Sequence, residues 1–333
     1  MPSFPKRVGA MTISRTAITA AAVLASALAS PPAMAQNVPD LVSRTAFRVC
    51  EDPANPPFST RKKDGFENKI ADIIADSLKR PVRYFWAPSG PGFVRNTLNE
   101  DLCDVVMGYT IGAEMVQATN PYYRSTYVIV VPKGSPLADV QSIDDPKLKG
   151  HKIGVFEATP PTDAMLKNGT LGQAKLYPLL VDHRFNSPLD AMLADLKAKV
   201  TDAVVVWGPL IGESVKTSDG ALVMTPLLKD VDRPGYSYRI ALGVRHDENE
   251  WKHTLEGVLR KRKADINRVL ADYNVPLIDN LGHLIPPATA TSEAAPKIEP
   301  AATGGDAPAP QAGERSKPVP KGFQMPGPAP TNQ

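Results

Sequence analysis

The sequence predicts an α/β protein of two lobes, each a mainly parallel sheet flanked by helices, with a cleft between them. Three observations carry this expectation. Short β-rich runs alternate with helical periodicities from residue 46 onward, the pattern of parallel strands joined by crossover helices. One pattern occurs twice: a helix, a short polar turn, Asp, apolar residues and Gly, ending in DVVMG at 104–108 and DAVVVWG at 202–208. Two long strands, TYVIVVPKG at 126–134 and SYRIALGVR at 237–245, read as crossings out of the first unit and back. A chain that crosses twice leaves a cleft at the lobe interface, where α/β proteins bind ligands.

The elements follow in order. AFRVCE (46–51) is a strand that stops at the turn signal Asp52-Pro53. Phe66, Ile70, Ile73, Ile74 and Leu78 recur at helical spacing from Gly65 until Pro81. VRYFW (82–86) is the second strand, and after a Gly/Pro loop a helix carries Phe93, Val94, Thr97 and Leu98 before DVVMG. In the second unit, HKIGVFE (151–157) is a strand, Pro160-Pro161 a loop, and a helix starts at Thr162. Leu189 to Leu196 is an amphipathic helix leading to DAVVVWG. Trp251 to Tyr273 reads as one helical segment, with Leu255, Val258, Leu259, Ile266 and Leu270 on its apolar face.

Both ends of the chain differ from this body. Residues 1–35 combine a basic start, an apolar run from Ala17 to Leu28 too short for a bilayer, Pro31-Pro32, and Ala33-Met34-Ala35. That order marks a secretory signal peptide cleaved before Gln36, and hence a periplasmic protein. Lys6, Arg7 and Arg15 are 3 of the 38 basic residues; without them 35 basic face 35 acidic residues. A neutral body offers no field to attract nucleic acid or an anionic membrane surface. Residues 286–333 are rich in Pro, Ala, Gly and Thr and nearly free of large apolar side chains. Such a stretch cannot offset its ordering entropy, so a disordered tail is expected, either a tether or a solvated end. The expected boundaries are 36–132 for the first part of lobe one, 133–240 for lobe two, and 241–285 for the return to lobe one and a C-terminal helix.

Enzyme signatures are missing: the chain has no G-x-S-x-G, no P-loop and no H-E-x-x-H. Its five histidines, His151, His183, His246, His253 and His283, lie in polar surroundings away from any nucleophile motif. Neither a C-x-x-C nor a Cys/His cluster is present, so no metal and no cofactor are expected. Cys50 and Cys103 form an even pair in an oxidising compartment, which suggests one disulfide. Against it stands a register objection. Cys50 ends its strand and Cys103 starts another, and at about 3.3 Å per residue that offset can exceed the roughly 7 Å Cα limit.

Two resemblances narrow the reading. The order DPANPPFS, GFENKIADIIADSLKR, CDVVMG, NPYYRSTYVIV, LKGHKIGVFEAT and RIALGVRHDENEW, across about residues 46–275, resembles the type II periplasmic solute-binding proteins that take up polar amino acids. Those binders clamp the ligand carboxylate with an Arg in a T-x-T-x-E-R segment; the matching segment, Thr110 to Met115, carries Met115 at the Arg position. They also place an Asp after the second buried strand, where this chain reads Trp207-Gly208-Pro209. A zwitterion would lack both counter-charges there. The longer strings FRVCEDPANPPFS, GFENKIA, GFVRNTLN, CDVVMG and PYYRSTYV are similar to the quinoprotein-dehydrogenase-associated binding proteins, the MoxJ/XoxJ family, and that likeness includes both cysteines. It implies a non-enzymatic periplasmic accessory protein, monomeric on its own, whose partner is a pyrroloquinoline-quinone-dependent methanol or alcohol dehydrogenase that it helps to mature or activate. The alternative is a transport receptor for a small non-zwitterionic solute.

Strand C-terminal ends nominate the cleft residues. Lobe one offers Asp52, Asn55, Phe58, Tyr109, Thr110, Tyr122, Tyr123 and Arg124; lobe two offers Glu157, Thr159, Trp207 and Pro209. Some have competing roles. Asp52 and Asn55 either cap their turn or contact a ligand, Phe58 and Tyr122 either pack in the core or face the cleft, and Arg124 either meets an anion or is solvated. Trp207, just past a buried strand, is expected in the cleft.

Overall fold

A computed structural model describes residues 41–112 and 115–286. The expected signal peptide and Pro-rich tail lie outside the described residues. In lobe one, β1 (Phe47–Glu51) is buried on both faces because parallel neighbours flank it. It pairs with β4 (Val82–Trp86) and with β5 (Val105–Thr110), matching Cys50 to Val106. Directly after β1 comes a small antiparallel hairpin, β2 (Ala54–Asn55) and β3 (Ser59–Thr60).

Helix α1 (Phe66–Leu78) sets Phe66, Ile70, Ile73 and Ile74 into the core and starts at Gly65, where the Asn68 side chain accepts from the Gly65 and Thr60 amides. The next helix is shorter than expected. α2 (Phe93–Asn96) stops because Thr97 leaves helical geometry (φ −129°, ψ −76°) and its hydroxyl donates back to the Phe93 carbonyl, 2.6 Å away.

The strand β7 (Tyr123–Pro132), preceded by the short β6 (Gln117–Ala118), joins the two lobes. Its first residues, Tyr123 to Thr126, pair antiparallel with β12 (Ser237–Val244) beside β5, and its later residues pair with β10 (Ala203–Trp207) and β11 (Leu222–Pro226). Lobe two adds β8 (Ile153–Phe156) and β9 (Lys175–Tyr177), parallel to each other and to β10. The strand order β4-β1-β5-β12-β7-β10-β8-β9 is thus a mixed sheet, with three parallel strands at each end and antiparallel strands at the junction. Along β10 the side chains alternate, Ala203 and Val205 entering one core and Val204 and Val206 the other. Both faces are covered, so the strand reads as a continuous apolar run.

Helix α3 (Pro160–Lys167) begins two residues earlier than expected, since prolines suit the first turn, and α4 (Pro188–Lys197) also starts on proline. α5 (Gly208–Lys216) follows β10 directly. Gly208 is required there: a Cβ would lie 2.3 Å from Pro276 Cγ and 2.8 Å from the Thr126 carbonyl. The expected single helix from Trp251 to Tyr273 is two, α6 (Asn249–Lys261) and α7 (Lys263–Asp272), broken at Arg262, whose guanidinium meets Asp76 at 2.8 Å and Asp265 at 2.6 Å.

The register objection to the disulfide fails. Cys103 lies before β5, where the chain turns after Asp101 (φ 56°) and the Asp104 amide bonds to the Arg48 carbonyl. Cys50 and Cys103 are bonded, with Cα atoms 5.5 Å apart.

Candidate functional site

Between the lobes lies a cleft of about 950 Å³. The ends of β1, β5 and β10 open onto it, as parallel strands place their C-terminal ends at the ligand side. Its volume is at the upper end of small-ligand pockets.

Asp52, Asn55, Phe58, Tyr109, Thr110, Tyr123 and Trp207 line this cleft. Asp52 also holds the wall together: one carboxylate oxygen accepts the Ala54 amide at 2.8 Å, the other the Ser89 amide and hydroxyl at 2.6 and 2.7 Å. Phe58 packs on Phe66 with ring centroids 5.0 Å apart, so it serves core and cleft together. Trp207 stands edge-on to Tyr127 and Tyr238, 5.7 and 5.3 Å away. These two tyrosines come from the crossing strands and, with Tyr123, make an aromatic wall at the lobe junction.

Other nominated residues are placed elsewhere. Tyr122 is buried in the lobe-one core against Tyr123. Arg124 donates to the carbonyls of Asp279 and Asn280 and to Ser237 Oγ, fastening the C-terminal segment. Thr159 caps α3, its hydroxyl donating to the Phe156 carbonyl at 2.7 Å. Glu157 is exposed past β8, and Pro209 is buried in the first turn of α5. Met115, expected in the clamp position, is 48% exposed and lies outside the cleft. No Lys or Arg is among the described residues lining the cleft.

The cleft's charge is one-sided. Glu51, Asp52, Glu67, Asp190 and Glu213 line it, and His183 is the one basic side chain among the described lining residues. Glu51 and Glu67 form a buried floor in lobe one, 3% and 7% exposed. Glu67 fills the space that Gly108 leaves open; a Cβ at residue 108 would lie 2.1 Å from Glu67 Oε1, and Gly108 has φ 62°. Burial pushes the Glu67 carboxyl up to about 8. Glu51 is raised well above the usual carboxylate range by burial first, then by the charges of Glu67 and Asp72. Asn68 Nδ2 donates to Glu51 Oε2 at 2.5 Å, while Glu51 Oε1 has no hydrogen-bond partner. A lone Glu at a strand end and another in a helix's first turn give no sequence signal for this floor.

A loop at 178–187, between β9 and α4, borders the cleft through Leu179, His183 and Asn186. It presents Leu180 and Phe185 to solvent, 77% and 79% exposed. Among the described residues, no group of three or more His, Cys, Asp or Glu side chains could hold a metal ion, and no helix is long and apolar enough to cross a membrane.

The comparisons match this geometry. The model of the bacterial extracellular solute-binding proteins, family 3, matches residues 47–274. Protein MoxJ of Methylorubrum extorquens is 30% identical over 293 residues, covering 80% of this chain and 95% of that protein. The crystal structure of the periplasmic binding protein XoxJ from Methylobacterium extorquens AM1 has 43% identity and a TM-score of 0.59, covering 70% of this chain and 100% of that one. MxaJ from Methlophaga aminisulfidivorans has 25% identity and a TM-score of 0.63 over the same shares. With its two-lobed α/β body, its inter-lobe cleft and these relatives spanning most of it, the chain belongs to family 3 of the bacterial extracellular solute-binding proteins and, within it, to the MoxJ/XoxJ proteins.

Proposed function

We propose that this chain is a periplasmic accessory protein of a pyrroloquinoline-quinone-dependent methanol or alcohol dehydrogenase, and that its cleft takes a segment of that enzyme exposed before cofactor loading. The observation that carries this reading is the cleft's lining. A receptor for a free amino acid needs a cation for the carboxylate, and no Lys or Arg is among the described residues that line this cleft. The lining offers a Trp207–Tyr127–Tyr238 cluster, and Leu180 and Phe185 stand exposed on the adjoining loop. Buried aromatic anchors with an apolar rim suit a polypeptide partner. The MoxJ/XoxJ relationship supports the same partner independently.

Two results are expected. A panel of L-amino acids leaves the melting temperature unchanged, because ligand-linked stabilisation needs differential binding to the folded state; micromolar binding of any one by calorimetry restores the transport reading. Trp207→Ala weakens association with the apo dehydrogenase by about 2 kcal/mol, roughly 30-fold in Kd. Equal affinities of wild type and variant would move the contact out of the cleft, with Phe185→Ala the next measurement on the rim.

A further inference from the structure

The carboxyl floor of lobe one is unexplained by an aromatic docking cleft. Glu51 and Glu67 are both buried, near enough for the charge of Glu67 to raise Glu51, and burial alone raises Glu67, with no neighbouring cation opposing it. The groups facing the pair are acidic or neutral: Asp72 and Tyr84 beside Glu51, and Tyr122 and Tyr123 beside Glu67. Asp52 follows directly in sequence but spends its oxygens on Ala54 and Ser89. Lys63 lies over the Tyr84 ring and Arg61 over the Trp86 ring, and neither lines the cleft. Arg184, near the mouth, is engaged by Asp182 at 2.6 Å.

An isolated buried carboxylate is costly unless a counter-charge meets it, and a buried oxygen without a partner loses its solvation for nothing. Glu51 Oε1 is such an oxygen, on a side chain that lines the cleft. We infer that the segment occupying the cleft presents a lysine ammonium to Glu51 and Glu67. This rests on the reading that a protein segment enters the cleft.

The geometry favours ammonium over guanidinium. Asn68 Nδ2 already donates to Glu51 Oε2, so Oε1 is the one Glu51 oxygen left without a donor, a single point for a compact cation rather than a pair of free oxygens for a planar fork. A compact ammonium with three donors can take Glu51 Oε1 and a Glu67 oxygen together. The motif GFENK thereby acquires a role: Glu67 supplies one ligand oxygen and Asn68 fixes the carboxylate that supplies the other. Binding a cation here requires the pair to shed a proton. Below the raised carboxyl range each unit of falling pH therefore weakens binding about tenfold, and above about pH 10 the ammonium loses its own proton and binding is lost again.

The test titrates n-butylammonium, the end of a lysine side chain, into the full-length protein and follows its melting temperature. The neutral control is 1-pentanol at matched ionic strength. Binding of the ammonium is expected to be on the order of 100-fold tighter at about pH 8 than at about pH 6, with no such dependence for the alcohol. Glu67→Gln, and separately Glu51→Gln, should abolish the preference for ammonium while both variants melt cooperatively. Equal responses to amine and alcohol, or a wild-type ammonium response in both variants, would overturn the site. Mixing Glu67→Gln with the apo dehydrogenase then tests the source of the ammonium. Affinity at least tenfold below wild type supports a lysine of that enzyme. Unchanged affinity removes the lysine while leaving the partner in place. If wild type itself fails to bind the dehydrogenase, the partner reading falls, and a positive titration then assigns the floor to a free amine.

Discussion

Glu67→Gln is expected to make the folded protein more stable at about pH 9, by several kcal/mol, and to change little at about pH 4. The cause is the raised carboxyl of Glu67, about 8 in the fold against 4.5 for the free side chain. In this group the folded state holds its proton more tightly than the unfolded chain. Its contribution is fully present below the unfolded value and is lost as pH rises, so unfolding free energy falls between about 4.5 and 8 and then levels. Glutamine keeps the shape, never ionises, and brings an NH₂ group that can donate toward Glu51 Oε1, the oxygen without a partner. Because Glu51 is raised for the same reason, the variant retains only the Glu51 part of the slope. Urea unfolding at a series of pH values measures this. Parallel wild-type and variant profiles would mean that the pair is hydrated and that Glu67 titrates as an ordinary carboxylate.

The same floor shows where sequence reasoning stops. Apolar runs and their Asp/Gly punctuation located β1, β5, β8 and β10, because strands buried on both faces carry an unbroken local signal. Strand ends then led to Asp52, Tyr109, Thr110 and Trp207, since parallel topology fixes which end faces the cleft. Tyr122, just before β7, and Arg124, its second residue, are not among the cleft-lining residues; at an antiparallel crossing strand nearness in sequence does not say which side a residue faces. Thr159 is not among them either; a helix start claims its hydroxyl. The hairpin β2–β3 has two residues per strand, too few for any period, and the apolar face of Trp251 to Tyr273 keeps its phase through Arg262, hiding the break. Glu51 and Glu67 became a pair only when α1 laid Glu67 into the space over Gly108, a tertiary contact that no local pattern encodes.

The second large effect belongs to the disulfide. Removing it as Cys50→Ala with Cys103→Ala should cost about 4 kcal/mol and lower the melting temperature by roughly 10 °C. The bond spans 53 residues, so its loss frees a long loop in the unfolded chain. Both sulfurs are fully buried, packed with Val94, Leu98, Val106 and Val116, so truncation adds a small packing defect. The surroundings resist collapse of the fold. Asp104, beside Cys103, is buried between Arg48 at 2.5 Å and Arg245 at 3.1 Å, and Arg245 also donates to the Cys103 carbonyl. That network holds the turn before β5 in place without the sulfur bridge, so the double variant should still fold and still form the cleft. The unfolded chain, no longer cross-linked, exposes more surface, so the denaturant slope should rise as the midpoint falls. Wild type unfolded under reducing conditions should reproduce both changes. Two reactive thiols in denatured, unreduced wild type, or a double variant as stable as wild type, would show that the bridge does not form and that the Arg48–Asp104–Arg245 network alone secures this edge of lobe one.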